Sequence, residues 1–322
     1  MDGKYVIGID WGGTRIKWGG VDDSGKFLYK NCLDYNSQDE IEININRLIE
    51  QINAYINSTG NKPYGFGLSL TSIVDPKFGV VYLPGKVKGL AGYPIVDRFH
   101  STFQCPVVAD NDGRAALLAE YHYGLARDVN WAVVLTIGTG IGSGVLIDGK
   151  VLRNPNFQFG CQFGHLMMFG WSDEACLTGY RGTGEMNCSA TALVNCVRNS
   201  LERGIPSRLS DTYHKNPNLI TFKSIINDGV RVGDELCIQA FEAWRDKLSF
   251  LIVNAIHAYG PQRVILSGGA TLAADLFLDY VQKKVDSLVF IYPQKTSIPI
   301  FISNMQEHSG VLGATCLINK AY

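Results

Sequence analysis

Two apolar segments of β character lie near the start of the chain, and a short glycine–threonine run joins them. The first segment ends in Asp10, and the connection and second segment supply Gly12, Gly13, Thr14 and Lys17. Glycines let backbone N–H groups approach phosphate because no Cβ intervenes, and a threonine hydroxyl adds a donor. The pattern predicts a β-hairpin with a phosphate-binding turn, although a plain Gly-Gly hairpin has the same pattern. Asp10 could hold hydrated Mg²⁺ beside such a turn.

The same order of features returns in the middle of the chain. The apolar run 133–137 leads into a loop with Gly138, Thr139 and Gly140, and a second apolar run then ends in Asp-Gly-Lys. Glycine makes up 35 of 322 residues, against a typical share of about 7%, and the excess clusters in such loops. A weak duplication over half the chain predicts two lobes of similar topology, although two glycine hairpins can also resemble each other by chance.

Size and charge indicate a globular protein of two domains. At roughly 150 residues per domain, the 322 residues correspond to about two domains. Lys and Arg total 29 against 30 Asp and Glu, so the broad basic field of a nucleic-acid binder is missing. The sequence contains no apolar run of membrane-spanning length, no secretory signal and no C-x-x-C pair. We therefore expect a cytoplasmic protein without nucleic-acid or membrane partners.

Two further segments place polar or glycine residues directly after a predicted strand. Asp110, Asn111 and Asp112 follow a short buried strand and precede a helix, while Gly268 and Gly269 follow a later strand. On its own, the acidic triplet fits an Asx-type helix cap. The glycine spacings of the chain fit neither the dinucleotide fingerprint nor the P-loop, and no nucleophile elbow is present.

The three glycine segments resemble, in order, the nucleotide motifs of the ROK family (repressors, open reading frames and sugar kinases) in the actin-like ATPase superfamily. Residues 10–14 are similar to its first phosphate motif, residues 138–142 to its second, and residues 267–269 to its adenosine-side loop. The resemblance implies ATP and Mg²⁺ as cofactors, with Mg²⁺ on Asp10 through water. The implied nucleotide-binding residues are Asp10, Gly12, Gly13, Thr14, Lys17, Gly138, Thr139, Gly140, Gly268 and Gly269.

The polar segments resemble the catalytic and sugar-binding segments of the same family. This resemblance implies phosphoryl transfer from ATP to a sugar hydroxyl, a reaction that needs positioning, a metal ion and one base. Asp112 would be the general base, and Asn111, Gln162, His165 and Glu185 would contact the sugar. A lone histidine, however, is more commonly a satisfied polar residue than a ligand contact.

The chain departs from the family at two places near the sugar segment. Many members carry a zinc site built from that histidine and three cysteines, but here only His165 and Cys176 are kept, with Thr178 and Thr183 at the other positions. Structural zinc takes four ligands, so we predict no zinc. Gln162 replaces the family's glutamate and loses a charge-assisted hydrogen bond, which leaves the identity of the sugar open.

The resemblance implies an α/β fold of the two-lobed, actin-like ATPase (ribonuclease H-like) type, with a cleft between the lobes. We expect a small lobe of residues 1–114 that takes back a C-terminal helix at 306–322, and a large lobe of residues 115–305. The expected activity is ATP-dependent phosphorylation of a hexose, glucose-like or N-acetylhexosamine, at O6, by a homodimer. The alternative is a catalytically weak sugar-sensing member without a DNA-binding domain, since the first strand near Lys4 leaves no room for a helix-turn-helix.

Overall fold

The computed structural model describes residues 5–71, 73–75, 77–82, 87–154, 162–168, 175–176, 179–290, 297–305 and 308–319. The strands of its first part are β1 (Tyr5–Trp11), β2 (Arg15–Asp22), β3 (Phe27–Asp34), β4 (Gly65–Leu70), β5 (Val74–Asp75), β6 (Val80–Val81) and β7 (Val107–Asn111). β5 and β6 form a small separate pair. The other strands form one sheet in the order β3-β2-β1-β4-β7, in which β4 runs parallel to both β1 and β7.

The strands of the second part are β8 (Ala132–Ile137), β9 (Ile141–Ile147), β10 (Lys150–Val151), β11 (Arg263–Ser267) and β12 (Ile300–Ile302). They form a sheet in the order β10-β9-β8-β11-β12, in which β11 runs parallel to both β8 and β12. Each sheet thus has its first three strands as neighbours in reverse order, followed by two parallel strands. The repeated strand order confirms the similar topology that the repeated glycine pattern predicts.

The helices are α1 (Ile41–Thr59), α2 (Ile95–Phe103), α3 (Asp112–Tyr123), α4 (Gly184–Cys188), α5 (Ala190–Glu202), α6 (Ser210–Lys215), α7 (Phe222–Ser224), α8 (Glu235–Tyr259), α9 (Ala274–Leu288) and α10 (Ser309–Asn319). Amphipathic α1 buries Ile45, Leu48 and Ile52 on one stripe, as their spacing of three and four residues requires. None of the described helices has both the length and the apolar character needed to cross a bilayer.

Helix α10 packs closely against the first sheet and against α3 because glycines remove the side chains at the contacts. A Cβ built at Gly8 of β1 or Gly67 of β4 would overlap backbone atoms of α10. A Cβ at Gly313 of α10 would likewise overlap the backbone of Ala115 in α3. The C-terminal helix is therefore an integral layer packed against β1, β4 and β7.

The chain divides into two compact units. The first comprises Met1–Asn130, Gly144–Cys161 and Glu307–Tyr322, and the second Trp131–Ser143 and Gln162–Gln306. The structure places α3 in the first unit, whereas the predicted boundary at residue 114 assigns most of it to the second lobe. The close packing of α10 on α3 is the physical reason for this difference.

Candidate active site

The C-terminal ends of β1, β4 and β7 place three polar side chains in one row. The strand register pairs Asp10 with Ser69, and Ser69 with Asp110. The Ser69 hydroxyl donates a hydrogen bond of 2.9 Å to Asp10 Oδ1. Ligands of open α/β sheets bind outside the carboxyl ends of parallel strands, so this row marks a candidate site in the first unit.

Asp10 lies in surroundings that disfavour its charge. Burial raises the pKa of its carboxyl above the ordinary value, and the Ser69 hydrogen bond and the positive charge of Lys17 oppose that rise. Lys17 is its cross-strand partner in β2. Gly310 at the start of α10 admits the carboxylate, because a Cβ there would overlap it. A half-buried carboxylate with incomplete compensation suits a bound cation, so the site fits the Mg²⁺ that ATP implies.

The turn between β1 and β2 is closed by its own backbone and fixed by two aromatic side chains. The Gly12 N–H donates to Arg15 O at 3.0 Å. The Tyr35 hydroxyl donates to Gly12 O at 2.6 Å, and the buried Trp11 indole donates to that hydroxyl at 3.0 Å. The positions left partly or fully accessible are the predicted phosphate-binding ones, Gly12, Gly13 and Thr14.

Asp110 is fully buried and surrounded by two arginines. Arg114 Nε lies 2.7 Å from Oδ1, and the Arg153 guanidinium lies 2.6 Å from Oδ2 in an ion pair whose geometry is not that of a hydrogen bond. The Asn111 backbone N–H also donates to Oδ1, at 2.7 Å. Two cations around one anion leave this cluster with a net charge of +1. Asp110 therefore organises the end of β7 and is not available to a substrate.

Asn111 and Asp112 form the beginning of α3. Asn111 Oδ1 accepts a hydrogen bond of 2.9 Å from the Gly113 N–H, so the helix-cap interpretation of the triplet is correct for this residue. Asp112, the first helical residue, is partly buried and its Oδ1 lies 2.8 Å from the same N–H. The Asp112 carboxylate thus lies at the N-terminus of α3, where a negative charge interacts favourably with the helix dipole. A sugar contact by Asn111 stays a prediction.

In the second unit, Gly138, Thr139 and Gly140 form a tight turn between β8 and β9. The Gly138 N–H donates to Gly140 O at 3.0 Å, and the Ala190 N–H of α5 donates to Gly138 O at 2.9 Å. Thr139 is exposed, and a Cβ built at Gly138 would meet no atom within 4 Å. The backbone of this turn is therefore held from one side and open on another, as phosphate binding requires.

Gly268 and Gly269 lie beside that turn. Gly268 has φ 95°, and a Cβ there would lie within 2.9 Å of three backbone atoms of Ile137, the residue before Gly138. Glycine is required at 268 for both reasons. Gly269 begins a short 3₁₀ segment, Gly269–Ala273, and a Cβ there would meet nothing within 4 Å. The structure thus brings these two predicted nucleotide segments together.

Glu185 on α4 lies against the same turn. Its Oε2 accepts a hydrogen bond of 3.2 Å from the Ile141 N–H, and a Cβ at Gly140 would overlap the carboxylate. The 3₁₀ segment Phe163–His165 packs on β9 through Gly164, where a Cβ would lie 2.5 Å from Ile141 O. The predicted sugar-binding segment and the predicted phosphate turn are therefore in direct contact.

His165 and Gln162 complete this group. The His165 N–H donates to Gln162 O at 3.0 Å, and the Gln162 side chain is partly buried. Among the residues that the structure describes, buried His165 Nδ1 has no hydrogen-bond partner. Buried polar atoms are normally satisfied, so an unpaired ring nitrogen is suited to contact a ligand.

A model of the ROK family matches residues 6–321, nearly the whole chain. The chain belongs to the ROK family. This establishes the family that the glycine and polar segments resemble, and the matched range includes every predicted site residue, from Asp10 to Gly269.

Relatives of this ROK protein include kinases and regulators. The glucokinase of Thermotoga maritima is 28% identical over 98% of this chain and 97% of its own length. The xylose repressor of Caldicellulosiruptor bescii is 24% identical over 97% of this chain but 77% of its own length. The crystal structure of a ROK family glucokinase from Streptomyces griseus with glucose and AMPPNP has a TM-score of 0.82 and 23% identity, and covers 98% of this chain and 100% of that one. This similarity confirms the predicted fold.

Backbone and hydroxyl groups make the hydrogen bonds that the structure describes around Cys176 and Thr183. The Cys176 N–H donates to Tyr180 O at 2.8 Å, and Thr183 caps α4 by accepting from the Met186 N–H at 3.5 Å. Thr178 lies outside the described residues. Within the described part of the chain, no three His, Cys, Asp or Glu side chains are grouped to hold a metal ion. The absence of zinc itself stays a prediction.

Sequence reasoning did not find the partners of the Asp10 and Asp110 carboxylates. Arg114 follows Asp110 by four residues, a spacing that could have indicated the ion pair. Ser69 and Arg153 reach Asp10 and Asp110 from other strands or loops, and no local signal in the sequence connects them.

Proposed function

We propose that this ROK protein is a sugar kinase that transfers the γ-phosphoryl group of ATP to a hexose hydroxyl, at O6 of a glucose-like sugar or an N-acetylhexosamine. The observation that carries the proposal is the position of Asp112. It begins α3 directly after β7, in the same sheet whose β1 ends in Asp10 and an accessible glycine turn. A proton acceptor and a carboxylate suited to a cation thus lie at the C-terminal edge of one sheet.

ATP supplies the transferable phosphoryl group, and Mg²⁺ neutralises part of its charge when both are bound. Asp112 accepts the proton of the attacking sugar hydroxyl as the new O–P bond forms, and ADP carries away the electrons of the broken bond. Asp10 would hold Mg²⁺ through water. Backbone donors of the turns at Gly12–Gly13 and Gly138–Gly140 would bind phosphate, and Gly268–Gly269 would line the adenosine side.

The sugar contacts would come from four polar residues. Asn111 accompanies Asp112 at the end of β7, whereas Gln162, His165 and Glu185 lie together in the second unit. The unpaired Nδ1 of His165 supports this assignment, because a sugar hydroxyl would satisfy it. The homodimer and the cytoplasmic location stay predictions.

A second candidate function is sugar sensing without efficient turnover. The similarity to the xylose repressor extends over 97% of this chain, so regulators also contain a domain of this family. The loss of the family glutamate at Gln162 favours the same alternative. A coupled ADP-release assay over a panel of hexoses and amino sugars distinguishes the kinase from the sensor. A kinase releases ADP faster than the sugar-free background with at least one sugar, whereas a sensor binds its sugar and the rate of ADP release stays at the background.

Replacing the general base tests the mechanism. Asp112→Asn should lower kcat by about 10²–10⁴-fold while sugar binding is retained, because the hydroxyl proton loses its acceptor. Steady-state kinetics and calorimetric sugar titration measure the two effects. Asp97→Asn is the matched control, because Asp97 occupies the first turn of α2 as Asp112 does in α3 but is exposed. Near wild-type turnover by Asp112→Asn would exclude the assignment.

A further inference from the structure

The carboxylate of Glu185 contacts the turn formed by Gly138, Thr139 and Gly140, in addition to its proposed contact with the sugar. Its Oε2 accepts the Ile141 N–H at 3.2 Å, immediately after Gly140. That backbone amide is the first of β9, so the hydrogen bond fixes the point where the turn becomes a strand.

Gly140 is explained by this contact. Its φ is not in the left-handed region, so its backbone conformation is open to other residues. A Cβ at this position would instead overlap Glu185 Oε2. The glycine therefore makes room for the carboxylate, and the turn stays open on the side of Gly138.

The segment that carries Glu185 is itself held tightly. Thr183 caps α4, and the Asn187 side-chain amide donates to Thr183 O at 2.9 Å. A Cβ at Gly184 would lie 2.7 Å from Phe163 O, so α4 packs directly on the 3₁₀ segment that carries His165. Glu185 is thus placed on a firm support, from which it can position the turn.

We infer that Glu185 is a positioning residue for the nucleotide: its carboxylate fixes the Gly138–Gly140 turn, so ATP affinity depends on Glu185 before any sugar is bound. One carboxylate oxygen serves the turn, and the other can accept a sugar hydroxyl. The inference rests on the proposed role of this turn as a phosphate site.

A sugar-free titration tests the inference. Calorimetry of the whole protein with a non-hydrolysable ATP analogue and Mg²⁺ should give a Kd about tenfold higher for Glu185→Ala, as expected when a hydrogen bond to a charged group is lost. Glu185→Gln should lose only about threefold, since its amide oxygen can still accept the Ile141 N–H. Coulomb repulsion alone predicts a lower Kd for both variants, because removing the negative charge of Glu185 favours the binding of a polyanionic ligand.

Glu202→Ala is the matched control. It removes an exposed carboxylate from the same unit and should leave the analogue Kd unchanged. Circular dichroism establishes that each variant is folded. Analogue binding by folded Glu185→Ala that equals or exceeds wild type would overturn the inference.

A double-mutant cycle gives an independent test. Gly140→Ala should weaken analogue binding in the wild-type background by displacing the carboxylate, yet cost less than about twofold in the Glu185→Ala background. Full additivity would mean that the glycine acts on the ligand directly, and would overturn the inference. The amide-exchange rate of Ile141 should also rise in Glu185→Ala.

These outcomes are distinguishable from failure of the proposed function. If wild-type protein binds no analogue, the phosphate-site assignment fails and the inference fails with it. If wild type binds the analogue and Glu185 variants bind it equally well, only the positioning role fails.

Discussion

The two sheets share a strand order but differ in the chemistry at their C-terminal ends. The row in the first sheet is acidic, with Asp10 and Asp110 on either side of Ser69. The corresponding strands of the second sheet pair Thr136 with Ser267, two neutral hydroxyls. One backbone plan thus supports two kinds of site.

The two glycine turns are also held by different side chains. In the first unit, the hydroxyl of Tyr35, which directly follows β3, fixes the turn by donating a hydrogen bond to Gly12 O. In the second unit, the strand ends carry no carboxylate, and Glu185 reaches the turn from α4. A duplicated scaffold can therefore keep its turn while the side chain that anchors the turn comes from a different element. Asp10 in the first sheet suits a hydrated cation, whereas the turn of the second sheet offers open backbone amides, which suit phosphate.

The largest expected effect is a difference in stability between variants at the charged C-terminal end of the first sheet and at the neutral C-terminal end of the second. Asp110→Asn should lower the free energy of unfolding by about 3–5 kcal/mol, because the buried Arg114 guanidinium loses its counterion. Ser267→Ala, at the buried end of β11, should cost only about 1 kcal/mol. Urea unfolding of both variants measures the contrast. Equal losses would mean that the buried charges do not distinguish the two ends.

A second prediction concerns the pH dependence that Asp10 confers. Its pKa is raised above the ordinary 3.8 in the folded state. Between the unfolded and folded pKa values the native state binds more protons, so stability falls as pH rises through that window. Asp10→Asn should therefore melt a few degrees higher than wild type at neutral pH, while phosphoryl transfer is lost.

Thermal melts at a series of pH values measure this gap. The gap should close as the pH falls below the ordinary carboxyl pKa, where Asp10 is neutral in both folded and unfolded protein. A gap that stays constant with pH, or a less stable Asp10→Asn at neutral pH, would contradict the assigned burial cost.

The smallest effects concern the loop that carries Glu185. Thr183→Ala removes the cap of α4 and should lower stability by about 1 kcal/mol. Zinc chelation should change neither the melting temperature nor the activity once Mg²⁺ is restored, because hydrogen bonds hold the loop. Stoichiometric zinc in unsupplemented protein, found by elemental analysis, would contradict this prediction.

The sequence by itself determined the family, the two related sheets and the positions of the glycine turns. These features depend on local patterns. Apolar strands and Gly-Thr connections need the same residue types in the same order wherever they occur in a chain, so the sequence alone reveals them. The polar residues at the ends of β1 and β7 could be predicted for the same reason. A polar residue that directly follows an apolar run is recognisable from the sequence without the structure.

Only the tertiary structure decided what each polar group does. Asp110, Asn111 and Asp112 are adjacent in sequence, yet the first is enclosed by arginines and the second caps a helix. The motif around Glu185 predicts a sugar contact, but the contact of Glu185 with Ile141 depends on how α4 packs. Hydrogen bonds and ion pairs depend on distances of a few ångströms between segments far apart in the chain, and strand register and helix packing set those distances.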